Sequence, residues 1–135
     1  MTEESGFAPR IFAEDDMRLL LAREVQRCTR YQDFLTVCLV RPASSKMGRE
    51  ELDSTVAPRI AEMLRATDFV GLIGVDIAVL LVHTPDTDAA VITDRIRDRF
   101  ANRFRIGLAS FPTNATSEEG LLAHAEAQLE GARPT

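Results

Sequence analysis

The sequence is poor in cysteine, with only Cys28 and Cys38 among 135 residues. The spacing of these two residues fits no metal-binding pattern, and both lie among apolar neighbours. We therefore expect two reduced, buried thiols that pack like small hydrophobic side chains, and no disulfide. The sequence places no convincing set of further ligands around His83 or His124, so neither a metal nor a cofactor is expected.

The sequence also lacks long apolar runs and an excess of positive charge. No apolar run approaches the roughly 18 residues of a membrane-spanning helix. The N-terminus lacks the basic and then apolar segments of a secretion signal. The formal net charge is -5, which argues against a nucleic acid or an anionic membrane as a general partner, because such partners require excess Lys and Arg. A cytoplasmic location is the expectation.

The overall composition is that of a globular domain. Hydrophobic residues make up 45% and charged residues 27% of the chain, and this length suits one domain with a real core. Residues 1–13 show neither a helical nor a strand period, and we interpret them as a flexible tail or linker before a domain at 14–135. Phe7, Ile11 and Phe12 in this tail could dock on a neighbouring surface.

The stretch 69–82 has the pattern of a β-hairpin. Two apolar runs rich in β-forming residues, Phe69–Ile73 and 77–82, flank a Gly-Val-Asp break. Such runs predict two largely buried strands. Gly74 can adopt a positive φ and Asp76 can hydrogen-bond its own backbone, so the turn chemistry is plausible. The side chains at the tip are expected to reach solvent, where a ligand could meet them.

Helical and strand patterns alternate around this hairpin. Apolar spacing predicts helices at about 15–30, about 50–65, after the turn at 84–88, and after Ser117, with strands at 34–40 and 104–111. Pro58 interrupts the second helix, which either starts near Thr55 with Pro58 in its first turn or kinks at Pro58. A hairpin within this order predicts an α+β fold, with a mixed or antiparallel sheet and helices on its faces.

Several strings resemble the GGDEF domain of diguanylate cyclases, which make cyclic di-GMP from two GTP. They are Arg-Tyr at 30–31, Arg-Ala-Thr-Asp at 65–68, Gly-Val-Asp-Ile-Ala-Val-Leu-Leu at 74–81, Ile-Gly-Leu-Ala-Ser-Phe-Pro at 106–112 and Leu-Leu-Ala-His-Ala-Glu-Ala-Gln-Leu at 121–129. Their order and spacing cover nearly everything after residue 15. The resemblance implies a palm-like fold with a mostly antiparallel sheet of about five strands, and with the hairpin at the active site.

The same resemblance implies that the metal site is lost. The family places a metal-binding carboxylate at the end of the first strand, where this sequence has Arg41, a charge reversal. The family elements that follow are replaced by Ala43, Ser44, Ser45 and Lys46. Cyclases of this kind need acidic residues to hold Mg²⁺ against the triphosphate. We therefore predict that the chain is not an enzyme.

The signature turn itself is degenerate. Counted forward from Arg65 and Asp68, the five family positions fall on Gly74, Val75, Asp76, Ile77 and Ala78. If the positions are counted back from the second strand of the hairpin instead, the turn is one residue shorter than the five-residue family signature. On either count Asp76 keeps one acidic position and the second acid is missing. Val75 also crowds a place where the backbone must approach the guanine nucleotide closely.

Arg65 and Asp68 form an Arg-x-x-Asp string just before the hairpin. In the family, this string at this offset is the inhibitory site that binds cyclic di-GMP. Arg offers a planar fork for phosphate or a guanine edge, and Asp can accept from guanine N–H groups. Alternatively, Arg65 is a solvated cation at a helix end and Asp68 a turn residue. A ligand site would need further arginines from a neighbour, such as the stretch 95–105 in a homodimer.

Two functions of different classes remain open at this point. One is a catalytically inactive, GGDEF-like regulatory or protein-interaction module in bacterial signalling, with an unidentified protein partner. The other is a cyclic di-GMP receptor that uses Arg65 and Asp68. A GTP binder or an active cyclase is the least favoured function, because Asp76 is the only acid left in the signature.

Overall fold

A mixed five-stranded sheet lies at the centre of the computed structural model, which describes residues 10–44 and 46–131. Its strands are β1 (Ile11–Phe12), β2 (Leu35–Pro42), β3 (Phe69–Ile73), β4 (Asp76–Val82) and β5 (Phe104–Phe111). They lie in the order β1-β3-β4-β2-β5; β1 is parallel to β3, and the other neighbouring pairs are antiparallel. The prediction of a mostly antiparallel sheet of about five strands is confirmed.

Helices cover both faces of this sheet. They are α1 (Glu14–Tyr31), α2 (49–61), α3 (Asp86–Arg99) and α4 (Glu118–Gly131). The core residues of α1 and α4 pack on one face with Leu35 and Val37, and those of α2 and α3 pack on the other with Cys38 and Val40. None of the helices in the described part of the chain is long and apolar enough to cross a membrane.

The second helix runs through Pro58 by changing its winding. It consists of an α-helical turn at Arg49–Glu51, a π-helical segment at Leu52–Val56 and a further α-helical segment at Ala57–Ala61. Pro58 has no N–H to donate and its ring crowds the preceding turn. The wider π-helical segment directly before it accommodates the ring. The helix therefore does not start near Thr55, and it ends four residues earlier than the periodicity predicts.

The end of the predicted tail is folded instead of free. Ile11 and Phe12 pair in parallel with Val70 and Gly71 of β3. The Phe12 ring packs edge-on against Phe69, with 5.9 Å between ring centroids. A two-residue strand has no period to detect, which is why the sequence did not reveal it. Residues 1–9, including Phe7, lie outside the described residues, so the linker remains a prediction for them.

The hairpin at 69–82 is confirmed, with a shorter turn than the sequence suggested. Ile73 pairs with Asp76, so the loop contains only Gly74 and Val75. Gly74 has a φ of 61°, the conformation that favours glycine at the first position of a two-residue hairpin turn. Val75 reaches solvent as expected. Asp76, in contrast, begins β4 and is buried, so it does not serve as an exposed turn residue.

Both cysteines are free and buried, as predicted. Cys28 lies on α1 and Cys38 in β2, on opposite faces of the sheet. Burial raises the pKa of Cys28 to about 11 and that of Cys38 to about 12. These thiols are therefore protonated at neutral pH and act as core residues.

Candidate functional site

The ends of β2 and β4 bring Arg41 opposite Asp76. Val40 pairs with Ile77, so Arg41 and Asp76 are the next residues across these antiparallel strands. Arg41 donates from Nε to Oδ1 of Asp76 at 2.6 Å and from Nη2 to Oδ2 at 3.0 Å. The Asp76 side chain is only 6% exposed. Both carboxylate oxygens of Asp76 are thus bound by one guanidinium.

This set of side chains does not fit a magnesium ion. Mg²⁺ takes oxygen ligands and prefers carboxylates, whereas Arg41 places a positive charge at the strand end where the resemblance calls for an acid. Both oxygens of Asp76 are engaged by that charge. Glu126 of α4 lies 3.6 Å from Arg41 Nη2 and adds a second acidic neighbour to the arginine.

Side chains from α1 and α2 form hydrogen bonds with the backbone of the hairpin turn. Gly74 N–H donates to Glu14 of α1 at 2.9 Å, and Arg49 of α2 donates to the Gly74 carbonyl at 2.8 Å. The hydrogen bond from Gly74, followed by that from Arg18, lowers the pKa of the Glu14 carboxyl. Ile77 is fully buried in the core. Of the signature turn residues, only Val75 is left to meet a ligand or partner with its side chain.

Arg65 and Asp68 contact each other beside the start of β3. The Asp68 side chain is 2% exposed and accepts hydrogen bonds from the N–H groups of Arg65 at 3.1 Å and Val82 at 3.0 Å. Arg65 Nη2 donates to the Val82 carbonyl at 2.6 Å and to Thr84 at 2.7 Å. Asp68 therefore fixes the turn before β3 to the end of β4, which fits the alternative of a structural turn residue.

A second arginine accompanies Arg65 at a cavity of about 500 Å³, which we call the Arg65 cavity. Its lining includes Arg10, Phe12, Arg65 and Asp68. The Arg10 guanidinium lies 4.5 Å from the centre of the Phe12 ring, a cation–π contact. Sequence reasoning missed Arg10 because only the parallel pairing of β1 with β3 brings it near Arg65.

His83 and Asp33 join the end of β4 to the end of α1. His83 Nδ1 contacts the Asp33 carboxylate, which also accepts from Arg27 Nη1 at 2.7 Å. Burial opposes ionisation of Asp33, but hydrogen bonds from Arg27 and from the Phe34 N–H outweigh it and lower the pKa. His124 is half-buried on α4. Neither histidine belongs to a group of three or more potential metal ligands in the described residues.

The arginines of the stretch 95–105 lie on different elements and differ in exposure. Arg97 pairs with Asp94 at 3.4 Å on the exposed side of α3. Arg105, on β5, is half-buried and lies directly opposite Arg41 of β2. Arg41, Arg49 and Arg105 line a cavity of about 420 Å³ at this end of the sheet, which we call the arginine cavity. No local sequence pattern predicts this cluster, because its members come from three separate elements.

The chain is similar to known proteins at the level of structure. No protein-family model matches the chain, and no curated protein matches it. The GGDEF domain of PA1120 (YfiN or TpbB) from Pseudomonas aeruginosa is 23% identical, with a TM-score of 0.77 over 90% of this chain and 89% of that one.

Two further solved structures contain a ligand or a partner protein. The GGDEF domain of DgcB from Caulobacter crescentus, in complex with c-di-GMP, is 12% identical, with a TM-score of 0.74 over 93% of this chain and 84% of that one. Diguanylate cyclase SiaD from Pseudomonas aeruginosa, in complex with its activator SiaC, is 18% identical, with a TM-score of 0.73 over 90% of this chain and 55% of that one. The chain thus has the fold of the GGDEF domains of diguanylate cyclases, as its sequence strings implied.

Proposed function

We propose that this chain is a GGDEF-fold module that does not synthesise cyclic di-GMP and acts by binding, as a regulatory or protein-interaction module in bacterial signalling. The observation that carries this proposal is the bidentate contact between Arg41 and Asp76. A cyclase needs carboxylates that hold Mg²⁺ against the triphosphate. Here an arginine replaces one acid and binds the other.

The hairpin turn supports the same proposal. Both backbone polar groups of Gly74 are bound by the side chains of Glu14 and Arg49. A nucleotide that approached the turn backbone would have to displace these contacts as well as pass the exposed Val75. Binding to a protein is supported by analogy with SiaD, whose structure contains its activator SiaC. That analogy rests on the fold alone.

The first test is incubation of the purified protein with GTP and Mg²⁺, followed by chromatography of the products. We expect no cyclic di-GMP from the natural chain. We also expect none from Arg41→Asp, because the loop at 43–46 lacks the family elements and Val75 still occupies the turn. Cyclic di-GMP from the natural chain would overturn the proposal. Cyclic di-GMP from Arg41→Asp alone would show that the charge reversal by itself explains the loss of cyclase activity.

A cyclic di-GMP receptor is the second candidate function. The Arg65 cavity favours it, because Arg10 supplies within the same chain the additional arginine that such a site would need. Two guanidinium groups beside an aromatic ring suit the phosphates and guanine rings of a cyclic dinucleotide. The GGDEF domain of DgcB is known in complex with this dinucleotide. The internal hydrogen bonds of Asp68 argue for the structural alternative.

Calorimetric titration with cyclic di-GMP distinguishes the two candidates. If the cavity is a receptor site, Arg65→Ala and Arg10→Ala each weaken binding about tenfold or more, since each removes charge-assisted hydrogen bonds. Arg59→Ala, which removes an exposed arginine from α2, serves as the matched control and leaves binding unchanged. Melting curves verify that each variant is folded. No heat from the natural chain would exclude the receptor and leave the function as a protein-binding module.

A further inference from the structure

We infer that α1 is a self-association surface, where the exposed side of the helix binds the same side of α1 in a second copy of the chain, with the two helices antiparallel. This contact uses neither the hairpin turn nor the Arg65 cavity, so it is independent of the proposed function. The surface, which we call the outer stripe of α1, consists of five exposed residues: Asp16, Leu19, Arg23, Gln26 and Arg30.

The outer stripe is one side of the helix, opposite the side that packs on the sheet. Its members recur at alternating intervals of three and four residues, which places them in one row along the helix. The buried residues of α1 form the opposite row, with Met17, Leu21, Val25 and Cys28. Leu19 is 54% exposed, and Ala22 beside it is partly exposed. Apolar side chains near the middle of a row with charged ends are a pattern that a second helix can match.

The outward-facing charges of α1 are unpaired and differ in sign along the helix. Four exposed charged residues form no ion pair within the part of the chain that the structure describes: Asp15, Asp16, Arg23 and Arg30. The helix dipole favours acids in the first turn and a cation in the last turn, but Arg23 lies well before the last turn. An antiparallel copy of α1 would place opposite charges together at both ends of the pair.

A groove of about 480 Å³ on the C-terminal half of α1 fits an acidic side chain from a facing helix. Its lining residues are Arg23, Gln26, Arg27, Arg30 and Tyr31. The first four stand at positions i, i+3, i+4 and i+7, the arrangement of a hole that receives one side chain of a facing helix. A carboxylate in this hole would meet the unpaired guanidinium groups of Arg23 and Arg30. The outer stripe of a second copy supplies that carboxylate with Asp16.

With Asp16 in the groove, the register of the two helices is fixed. Three residues forward along one antiparallel helix correspond to three residues back along the other, so Leu19 of one copy faces Ala22 and Arg23 of the other. The two-fold axis then passes near Ala22, and each contact occurs twice, as in isologous dimers. A helix of 18 residues is about 27 Å long. Such a pair has a small interface, so we expect a weak dimer.

Sedimentation equilibrium of the full chain, at concentrations up to about 1 mM, tests this interface by charge reversal. We expect the natural chain to dimerise. Arg23→Glu with Arg30→Glu, and separately Asp15→Arg with Asp16→Arg, should each weaken dimerisation at least tenfold, because each places like charges together at both ends of the pair. An equal mixture of the two double variants should associate again, because the heterodimer restores opposite charges at both ends.

Arg95→Glu with Arg99→Glu is the matched control, because it reverses two exposed arginines on α3, and it should leave dimerisation unchanged. Melting curves verify that each variant is folded. Ala22→Cys should form covalent dimers with a short bis-maleimide, whereas Ala90→Cys, at an exposed position on α3, should not; the natural cysteines are buried.

The inference is overturned if the natural chain stays monomeric at the highest concentration, or if either double variant of α1 dimerises as well as the natural chain. It is also overturned if the mixture of the two double variants does not associate, or if Ala90→Cys cross-links as readily as Ala22→Cys.

Discussion

Arg41 and Arg65 each contact an almost fully buried aspartate, but the two aspartates depend on them to different degrees. Arg41 makes a bidentate contact with Asp76 at 2.6 and 3.0 Å. Arg65 approaches Asp68 only to 3.3 Å, and Asp68 also accepts from the N–H groups of Arg65 and Val82. Asp68 therefore stays satisfied when the Arg65 side chain engages a ligand. Asp76 would lose both of these hydrogen bonds if the Arg41 side chain turned to a ligand. We therefore regard Arg41 as a structural residue.

Replacement of Arg41 by Met should lower the free energy of unfolding by about 3 kcal/mol, because it leaves the Asp76 carboxylate buried without its cation. Asp76→Asn in the same chain should restore part of this loss, with a coupling energy of about 1–3 kcal/mol. Urea denaturation of the natural chain, both single variants and the double variant gives this coupling.

The pair of Arg97 and Asp94 on the surface of α3 provides the control for these Arg41 and Asp76 variants. Its nitrogen–oxygen distance is 3.4 Å, and the Arg97 and Asp94 side chains are 42% and 74% exposed. Exposed pairs of this kind contribute about 0–1 kcal/mol, so Arg97→Met should have little effect. If Arg41→Met costs no more than Arg97→Met, the pair at the strand end is not the buried contact described above.

At the scale of elements, the packing of α4 on β5 depends on a residue without a side chain. A Cβ at Gly107 would lie 2.0 Å from the carbonyl oxygen of Ala125 and 3.2 Å from Leu129. The helix backbone therefore approaches the strand as closely as glycine permits. This close approach also lets Gln128 of α4 accept a hydrogen bond from the Leu108 N–H of β5 at 2.8 Å.

Gly107→Ala should therefore destabilise the protein by about 1–3 kcal/mol, because α4 would have to move away from β5. Gly48→Ala is the matched control, since a Cβ at Gly48 meets nothing within 4 Å. That change should be neutral or stabilise by about 0.4–1 kcal/mol through the unfolded state. Chemical denaturation of both variants measures the difference, and equal effects would contradict this account of the helix–strand contact.

At the scale of the whole molecule, titratable groups limit stability from both sides of neutral pH. The pKa values of Glu14 and Asp33 lie below their ordinary values of 4.5 and 3.8. Their stabilising effect is present above those values and is lost as the pH falls towards the folded-state pKa. The pKa values of Cys28 and Cys38 are raised from 9.0. Their effect is present below pH 9 and is lost as the pH rises towards about 11 and 12.

We expect the free energy of unfolding to be highest between about pH 5 and 9 and to fall on both sides. On the alkaline side, Cys38 alone gives a slope of up to about 1.4 kcal/mol per pH unit, because the unfolded thiol ionises and the buried one does not. Cys38→Val should reduce this slope. Urea denaturation at intervals from pH 3 to 11 measures it, and an equal slope in the variant would show that Cys38 does not control the alkaline limit.

The sequence by itself determined the elements that have a period or a turn signal. The helical spacing of Met17, Leu21, Val25 and Cys28 and the apolar runs around Gly74 predicted α1 and the hairpin, because these signals are local. Apolar spacing also predicted the other helices and the α+β class, and the resemblance of ordered strings to GGDEF domains implied a mostly antiparallel sheet of about five strands. Two local features were missed: β1 is too short to show a period, and the π-helical segment before Pro58 has no simple sequence signal.

Tertiary structure decided which of the candidate residues meet. Arg41 and Asp76 were both singled out in the sequence, but only the register of β2 on β4 places them in contact. Arg10 reaches the Arg65 cavity, and Arg105 reaches Arg41, through pairings of distant strands. Local periodicity fixes which face of an element is buried, whereas the neighbours of a charged side chain depend on strand order and register. Those are set by the packing of the whole core.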